Sequence, residues 1–275
     1  MALITVDETK CKKDGLCADV CVARIIKRPD ETHFPRSDPR FEETCIACGH
    51  CVAVCPTGAL DHERVPLAAC QPIPEGKMPS ADEVETLLKT RRSMRNYQDR
   101  PVPRQMLERL MEAARYAPSG GNRQDCRFIL CDDRAKLAAM TGMVADYLRA
   151  QLETGLSKDM EIRYQTQILA WERGLDPILR HAPALIVAHS NTALMPGQQV
   201  NCILALGYVE VMAHALSLGA LYCGYFNTPV NAWPPLREAV GLPAGHTAAA
   251  TLLIGFPRVR YSRVPPRNPA KFRYL

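Results

Sequence analysis

Seven cysteines stand within the first fifty-five residues and, together with Asp14, fall at spacings suited to inorganic clusters. The second group reads Cys45-x2-Cys48-x2-Cys51-x3-Cys55-Pro56. That is C-x2-C-x2-C-x3-C-P, a run that holds iron–sulfur clusters. The first group reads Cys11-x2-Asp14-x2-Cys17-x3-Cys21, the same run with Asp14 in place of the second cysteine. A cubane presents an iron at each corner, and each iron takes one thiolate. Cysteines at two-residue intervals on a tight loop wrap three corners, so the fourth ligand comes from elsewhere. Gly15 and Gly49 leave room for close backbone approach. Two such runs predict two clusters and single-electron chemistry.

Both runs resemble those of the two-cluster ferredoxins, in which each run lends its last cysteine to the other cluster. The resemblance implies Cys11, Cys17 and Cys55 on the first cluster, with Asp14 at the open position. It implies Cys45, Cys48, Cys51 and Cys21 on the second. Asp14 leaves three alternatives: an aspartate-ligated or labile 4Fe-4S cubane, a 3Fe-4S centre, and a first cluster that is damaged or absent. Val22 also departs from the pattern, because proline often follows the last cysteine. A zinc site would instead pair two C-x2-C units, or cysteines with histidines.

The 275 residues suffice for one small and one medium domain. Net charge is a modest +5 with the basic residues scattered, which argues against a nucleic-acid partner. No apolar run reaches the length of a membrane span. The segment Met1–Asp7 lacks the basic-then-apolar pattern of an export signal and reads as the first strand. Twelve cysteines without an export signal point to metal and redox use in a reducing, cytoplasmic setting. Cys70, Cys126, Cys131, Cys202 and Cys223 lie outside the cluster pattern and read as small buried residues.

Residues 1–66 form the expected cluster domain. Residues 67–79 read as a linker, since Pro72, Pro74, Gly76 and Pro79 exclude a helix. Residues 80–275 form the second domain, mostly helical with a few short strands. Ser80 and Glu83 make a capping box for its first helix. Apolar spacing predicts a helix from Val102-Pro103 through Ala114, and helical structure over 134–172 broken near Gly155. Residues 199–219 read as one long helix, apolar nearly all round, and Pro235–Val240 as a short one. Strands are expected at Arg127–Cys131, Ala184–Ala188, Leu221–Phe226 and Ala249–Gly255.

Four motifs in the second domain carry a resemblance. Arg91-Arg92-Ser93-Met94-Arg95 is similar to the RRSxR segment of nitroreductase-family flavoproteins. Ala117-Pro118-Ser119-Gly120-Gly121-Asn122-Arg123-Gln124 is similar to their APSxxNxQ loop. Leu218-Gly219-Ala220 and Gly255-Phe256-Pro257 follow in the expected order. With the front domain, the whole chain resembles ferredoxin-fused nitroreductases. The implied fold is α+β: a small βαββαβ ferredoxin-like domain, then an α+β nitroreductase-like domain.

The resemblance implies FMN as cofactor. Arg91, Arg92 and Arg95, with the Ser93 hydroxyl, suit a phosphate dianion, because guanidinium pairs bidentately and stays charged. Pro118, Ser119, Gly120, Asn122 and Gln124 supply a loop of amide donors for the ring edge and ribityl chain. A basic residue near the C-terminus completes the phosphate site in the family; Arg263 and Arg267 are preferred over Arg260. Asp125-Cys126 stands where the family often has Pro-Trp. Residues 146–180 read as a lid, in which Tyr147, Leu148, Tyr164, Ile168 and Trp171 either line a substrate pocket or pack helices. A homodimer is implied, and the apolar helix over 199–219 suits its buried core.

Joined, the halves predict an FMN-dependent oxidoreductase. Its clusters take electrons from a ferredoxin-type donor or NAD(P)H and feed FMN. The acceptor is a small organic molecule such as a nitroaromatic, quinone or activated alkene. Catalysis belongs to the flavin, and no nucleophile is needed. The alternatives are an electron-transfer subunit and a redox sensor.

Overall fold

The computed structural model describes residues 2–192, 197 and 199–275; Met1, the start of the expected first strand, lies outside them. The chain divides into two compact units. One is residues up to Met78 together with Gly121–Arg123, and the other is Pro79–Gly120 with Gln124–Leu275.

The first unit runs β1 (Ile4–Val6), α1 (Leu16–Asp19), β2 (Ile26–Lys27), β3 (Arg36–Ser37), α2 (His50–Ala53) and β4 (Leu60–His62). This is the βαββαβ order. β1 pairs antiparallel with β4, with Ile4 opposite His62, and β2 pairs antiparallel with β3. Leu3, Ile4, Ile25, Ile26, Val52 and Leu60 form its core together with Cys17 and Cys51. So small a core leaves much of the wall to the cysteines. Gly15 and Gly49 cap α1 and α2 in the left-handed region, at φ 78° and 72°. A side chain at Gly49 would also meet Val65 at 2.9 Å. Glycine there lets each cysteine loop turn directly into its helix.

The second unit opens with α3 (Ala81–Thr90), started by the Ser80/Glu83 capping box. α4 (Arg104–Ala114), α5 (Arg134–Leu152), α6 (Lys158–Glu172) and α7 (Gln199–Ala215) follow at the expected positions. β5 (Arg127–Cys131), β6 (Ala184–Asn191), β7 (Gly219–Tyr222) and β8 (His246–Gly255) form an antiparallel sheet in the order β5-β6-β8-β7. Helices cover both sheet faces. Leu107 and Leu110 of α4 and Leu206 and Val209 of α7 pack with Ile186, Leu252 and Ile254. Val144 and Leu148 of α5 pack with Leu185, Val187 and Leu253 on the opposite face. That double cover explains why β6 reads as an unbroken apolar run.

Two expectations need correction. α7 ends at Ala215, where Leu218 N–H turns back to Ala213 O at 2.8 Å, and Gly219 already belongs to β7. The strand expected over Leu221–Phe226 stops at Tyr222, and a helix, α8 (Gly224–Ala232), begins. Tertiary anchoring overrides the strand propensity of Tyr225 and Phe226. Phe226 is fully buried, and Asn231 clasps β8 by donating to Ala248 O and accepting from Ala248 N–H, both at 2.9 Å. The short helix α9 (Pro234–Val240) then ends at Gly241, φ 74°.

Candidate functional site

In the first unit the eight candidate ligands sort into two cavities. Cys11, Asp14, Cys17 and Cys55 line one, with Val6, Pro35 and Leu60 as apolar wall. Cys21, Cys45, Cys48 and Cys51 line the other, with Ile4, Ile25 and Ile26. The last cysteine of each run therefore sits with the other run. Asp14 makes a local turn, its Oδ1 accepting from Leu16 N–H at 3.1 Å.

Backbone donors reach the sulfurs. Ala47 N–H donates to Cys45 Sγ at 3.4 Å, and Ala59 N–H to Cys55 Sγ at 3.2 Å. Burial pushes the Cys51 thiol up to about 11 and raises Cys17. Burial also acts upward on Cys55, but the donors at Ala59 and Thr57 outweigh it and leave that thiol lowered. Iron binds thiolate, so loading these cavities releases protons. The donor set fits two clusters: thiolates dominate, the walls are apolar, and each cavity gathers four ligands. Among the described residues no group of three or more His, Cys, Asp or Glu is placed to hold a lone metal ion. His62 was missed by sequence reading. Its side chain is buried in the second cavity, with Nε2 3.4 Å from Cys45 Sγ.

In the second unit the arginine motif divides its labour. Arg92 lines a pocket with Lys89, Thr90, Tyr261, Ser262 and Arg263. Arg267 is exposed and is not in that lining. Arg91 is bound instead to Glu210 of α7 at 2.8 Å. Arg95 donates to Ser93 O at 3.4 Å. Ser93 bridges the edge of β7 at Ala220, and Met94 N–H donates to Ala220 O at 2.9 Å. That approach requires Gly219, since a Cβ there would lie 2.6 Å from Met94. Lys89 and Thr90 were missed because they precede the motif, in the last turn of α3.

In the glycine loop, Pro118 precedes Ser119, whose Oγ accepts from Gln124 N–H at 3.0 Å. Gly120 N–H donates to Asn201 Oδ1 at 3.2 Å. Gln124 holds a left-handed φ of 50°, a cost usually found at functional loops. Asn122 belongs to the first unit, where its amide donates to Ile46 O and Ala47 O at 3.1 and 2.9 Å. The hydrogen bond to Cys202, with partial burial, raises the half-buried Cys126 far above an ordinary thiol.

A further cavity of about 360 Å³ lies between α5, α6 and α8. Tyr147, Leu148, Met160, Arg163, Tyr164, Tyr225 and Thr228 line it. Ile168 is buried in the core instead, and the Trp171 ring faces Gly142. Burial, with Tyr147 and Tyr225 nearby, raises the Tyr164 hydroxyl, which keeps it a neutral proton donor. Met160, Arg163 and Thr228 were not read from the sequence.

Residues 88–256 match the nitroreductase family, and residues 9–60 match a 4Fe-4S dicluster domain. The chain is 27% identical over 186 residues to a putative NADH dehydrogenase/NAD(P)H nitroreductase of Methanothermobacter thermautotrophicus, covering 66% of this chain and 81% of that one. It is 26% identical over 186 residues to iodotyrosine deiodinase 1 of Rattus norvegicus, covering 64% of this chain but only 63% of that protein. In fold it is similar to a nitroreductase of Desulfitobacterium hafniense crystallised with FMN, with a TM-score of 0.58 and 23% identity over 72% of this chain and all of that one. The helix-covered antiparallel sheet, the RRSxR segment laid against β7 and the paired cysteine cavities agree with these matches. The chain belongs to the nitroreductase family of oxidoreductases and carries a 4Fe-4S dicluster domain at its front.

Proposed function

We propose that the second unit binds FMN and the first binds two iron–sulfur clusters. A ferredoxin-type donor would load the clusters one electron at a time, NAD(P)H would deliver hydride to the flavin site directly, and the electrons would leave to a small organic acceptor. Nitroaromatics, quinones and activated alkenes are the acceptor classes. The sorting of eight candidate ligands into two sulfur-lined cavities, on a chain whose second unit belongs to the nitroreductase family, carries this reading.

When bound, FMN links one-electron donors to two-electron acceptors. The residues around it have separate tasks. Lys89, Arg92 and Arg263 supply positive charge for the phosphate, with Ser262 and Thr90 hydroxyls beside them. Ser119 and Gln124 shape the loop that offers amides to the ring. Leu148 and Met160 exclude water from the acceptor cavity, while Tyr147, Tyr164, Tyr225 and Thr228 offer it hydroxyls. The first cavity would hold its cluster on Cys11, Cys17 and Cys55 with Asp14, and the second on Cys21, Cys45, Cys48 and Cys51.

A homodimer belongs to this reading. α7 exposes Val200, Ile203, Leu204 and Tyr208, at 43–58% of their surfaces, and α3 exposes Val84 and Leu88. Such an apolar face on two neighbouring helices calls for a partner, and a second copy is the simplest one.

The test is anaerobic purification, with iron, sulfide and flavin analysis followed by steady-state turnover. Reduced ferredoxin, NADH and NADPH are offered with a nitroaromatic, a quinone and an enone. Two clusters with one FMN, and at least one pair sustaining many turnovers, support the proposal. Flavin without acid-labile sulfide overturns it. Rapid flavin reduction without turnover of any acceptor favours an electron-transfer subunit.

A further inference from the structure

β4 alternates inward and outward, so Leu60 and His62 point into the first unit while Asp61 faces out. His62 is only 3% exposed, so its ring nitrogens depend on protein partners. Arg64 N–H donates to Nδ1 at 3.0 Å. A nitrogen that accepts carries no proton, so the neutral ring holds its proton on Nε2. Nε2 lies 3.4 Å from Cys45 Sγ, within reach of a hydrogen bond to sulfur. Cys45 therefore faces two N–H groups, one from the Ala47 backbone and one from an imidazole fixed by its neighbour's backbone. The matching side-chain contact in the first cavity, the Thr57 hydroxyl at Cys55 Sγ, is longer at 3.8 Å.

Adding an electron to a cluster raises the negative charge on its thiolates. A donor aimed at one of those sulfurs bonds more strongly to the reduced state and lifts the reduction potential. We propose that His62 is a positioning residue for electron transfer: its Nε2–H hydrogen bond to Cys45 raises the potential of the cluster in the second cavity. This rests on the reading that the cavity holds an iron–sulfur cluster, and it adds a chain-specific control over which cluster retains the electron.

The experiment is an anaerobic redox titration of the holoprotein, followed by electron paramagnetic resonance. In His62→Phe, one cluster should shift to more negative potential and the other should stay. The expected size is a roughly tenfold lower reduced-to-oxidised ratio at a fixed donor potential, about 59 mV for one electron. His62→Gln, which keeps an N–H of similar reach, should recover much of the shift. Wild-type protein with ¹⁵N-labelled histidine provides a check that needs no substitution at His62. Pulsed resonance on the reduced second cluster should show a histidine nitrogen coupling that survives in His50→Gln. Two unshifted potentials in His62→Phe, an equal shift of both clusters, or no histidine coupling in the wild type would each overturn the assignment while leaving the clusters in place. A wild-type protein without acid-labile sulfide overturns the cluster reading itself.

Discussion

Arg91 is clasped by Glu210 at 2.8 Å, with 23% and 14% of the two side chains exposed, while its neighbour Arg92 lines the Lys89–Arg263 pocket. Two adjacent arginines of one motif thus do different work. Arg91 fastens the motif to α7, and Arg92 faces a pocket. Removing one partner of a partly buried pair leaves the other without its countercharge, at about 1–3 kcal/mol. Arg91→Met should therefore lower the melting temperature of the flavin-free protein. Arg92→Ala should leave that temperature nearly unchanged and weaken FMN binding. Calorimetry and flavin fluorescence titration, run side by side, check the division.

Arg263 and Arg267 were equal in the sequence, but Arg263 alone of the two lines the pocket. A charge-assisted contact is worth about 1.5–3 kcal/mol, or roughly 10- to 100-fold in affinity. Arg263→Ala should raise the FMN dissociation constant by that factor, with Arg267→Ala within about twofold of wild type by the same scale.

Much of this was legible beforehand, and the reasons are local. The cysteine runs encode their own loops, and Ser80 with Glu83 encodes the start of α3. The failures lie where distant residues decide. α8 could not be read because Phe226 and Asn231 take their partners from β8, beyond α9 in sequence. His62 showed no motif; its meaning depends on β4 pairing with β1, which aims it at Cys45. Lys89 and Arg263 are more than 170 positions apart and share a pocket only after folding.

The second unit should lose stability in mild acid. Burial, then His246 and Arg127, lower His189 to about 4 from 6.5. Between these values the unfolded chain takes a proton that the folded state refuses. Its contribution is therefore full above about pH 6.5 and fades as pH falls towards 4, by on the order of 1–2 kcal/mol after allowance for partial solvation. Melting curves of the holoprotein from pH 7.5 to 5 check it. His189→Asn should flatten the dependence, and an unchanged slope would refute the assignment.

Asp14 is the one carboxylate oxygen donor beside the three cysteine sulfurs that line the first cavity. Asp14→Cys should complete the thiolate set and prolong retention of that cluster's iron in air. Iron per chain and visible absorbance after timed exposure measure it. Equal decay in both proteins would show that Asp14 is not the weak corner.

The exposed face of α7 supplies a direct test of association. Leu204→Glu should shift the protein in analytical ultracentrifugation towards the 30.5 kDa of one chain.

α3 buries none of its residues, yet its last turn delivers Lys89 and Thr90 to the pocket lined by Arg92 and Arg263. It is clamped at its ends, by the Ser80 box at the front and by Thr90 bonded to His214 at 2.9 Å at the rear. Within one chain, the stretch between those two ties buries no residue and is the part freest to flex. Anion capture at the rear clamp should quieten the whole helix, making amide exchange along Glu85–Leu88 a gauge of how fully the pocket is filled.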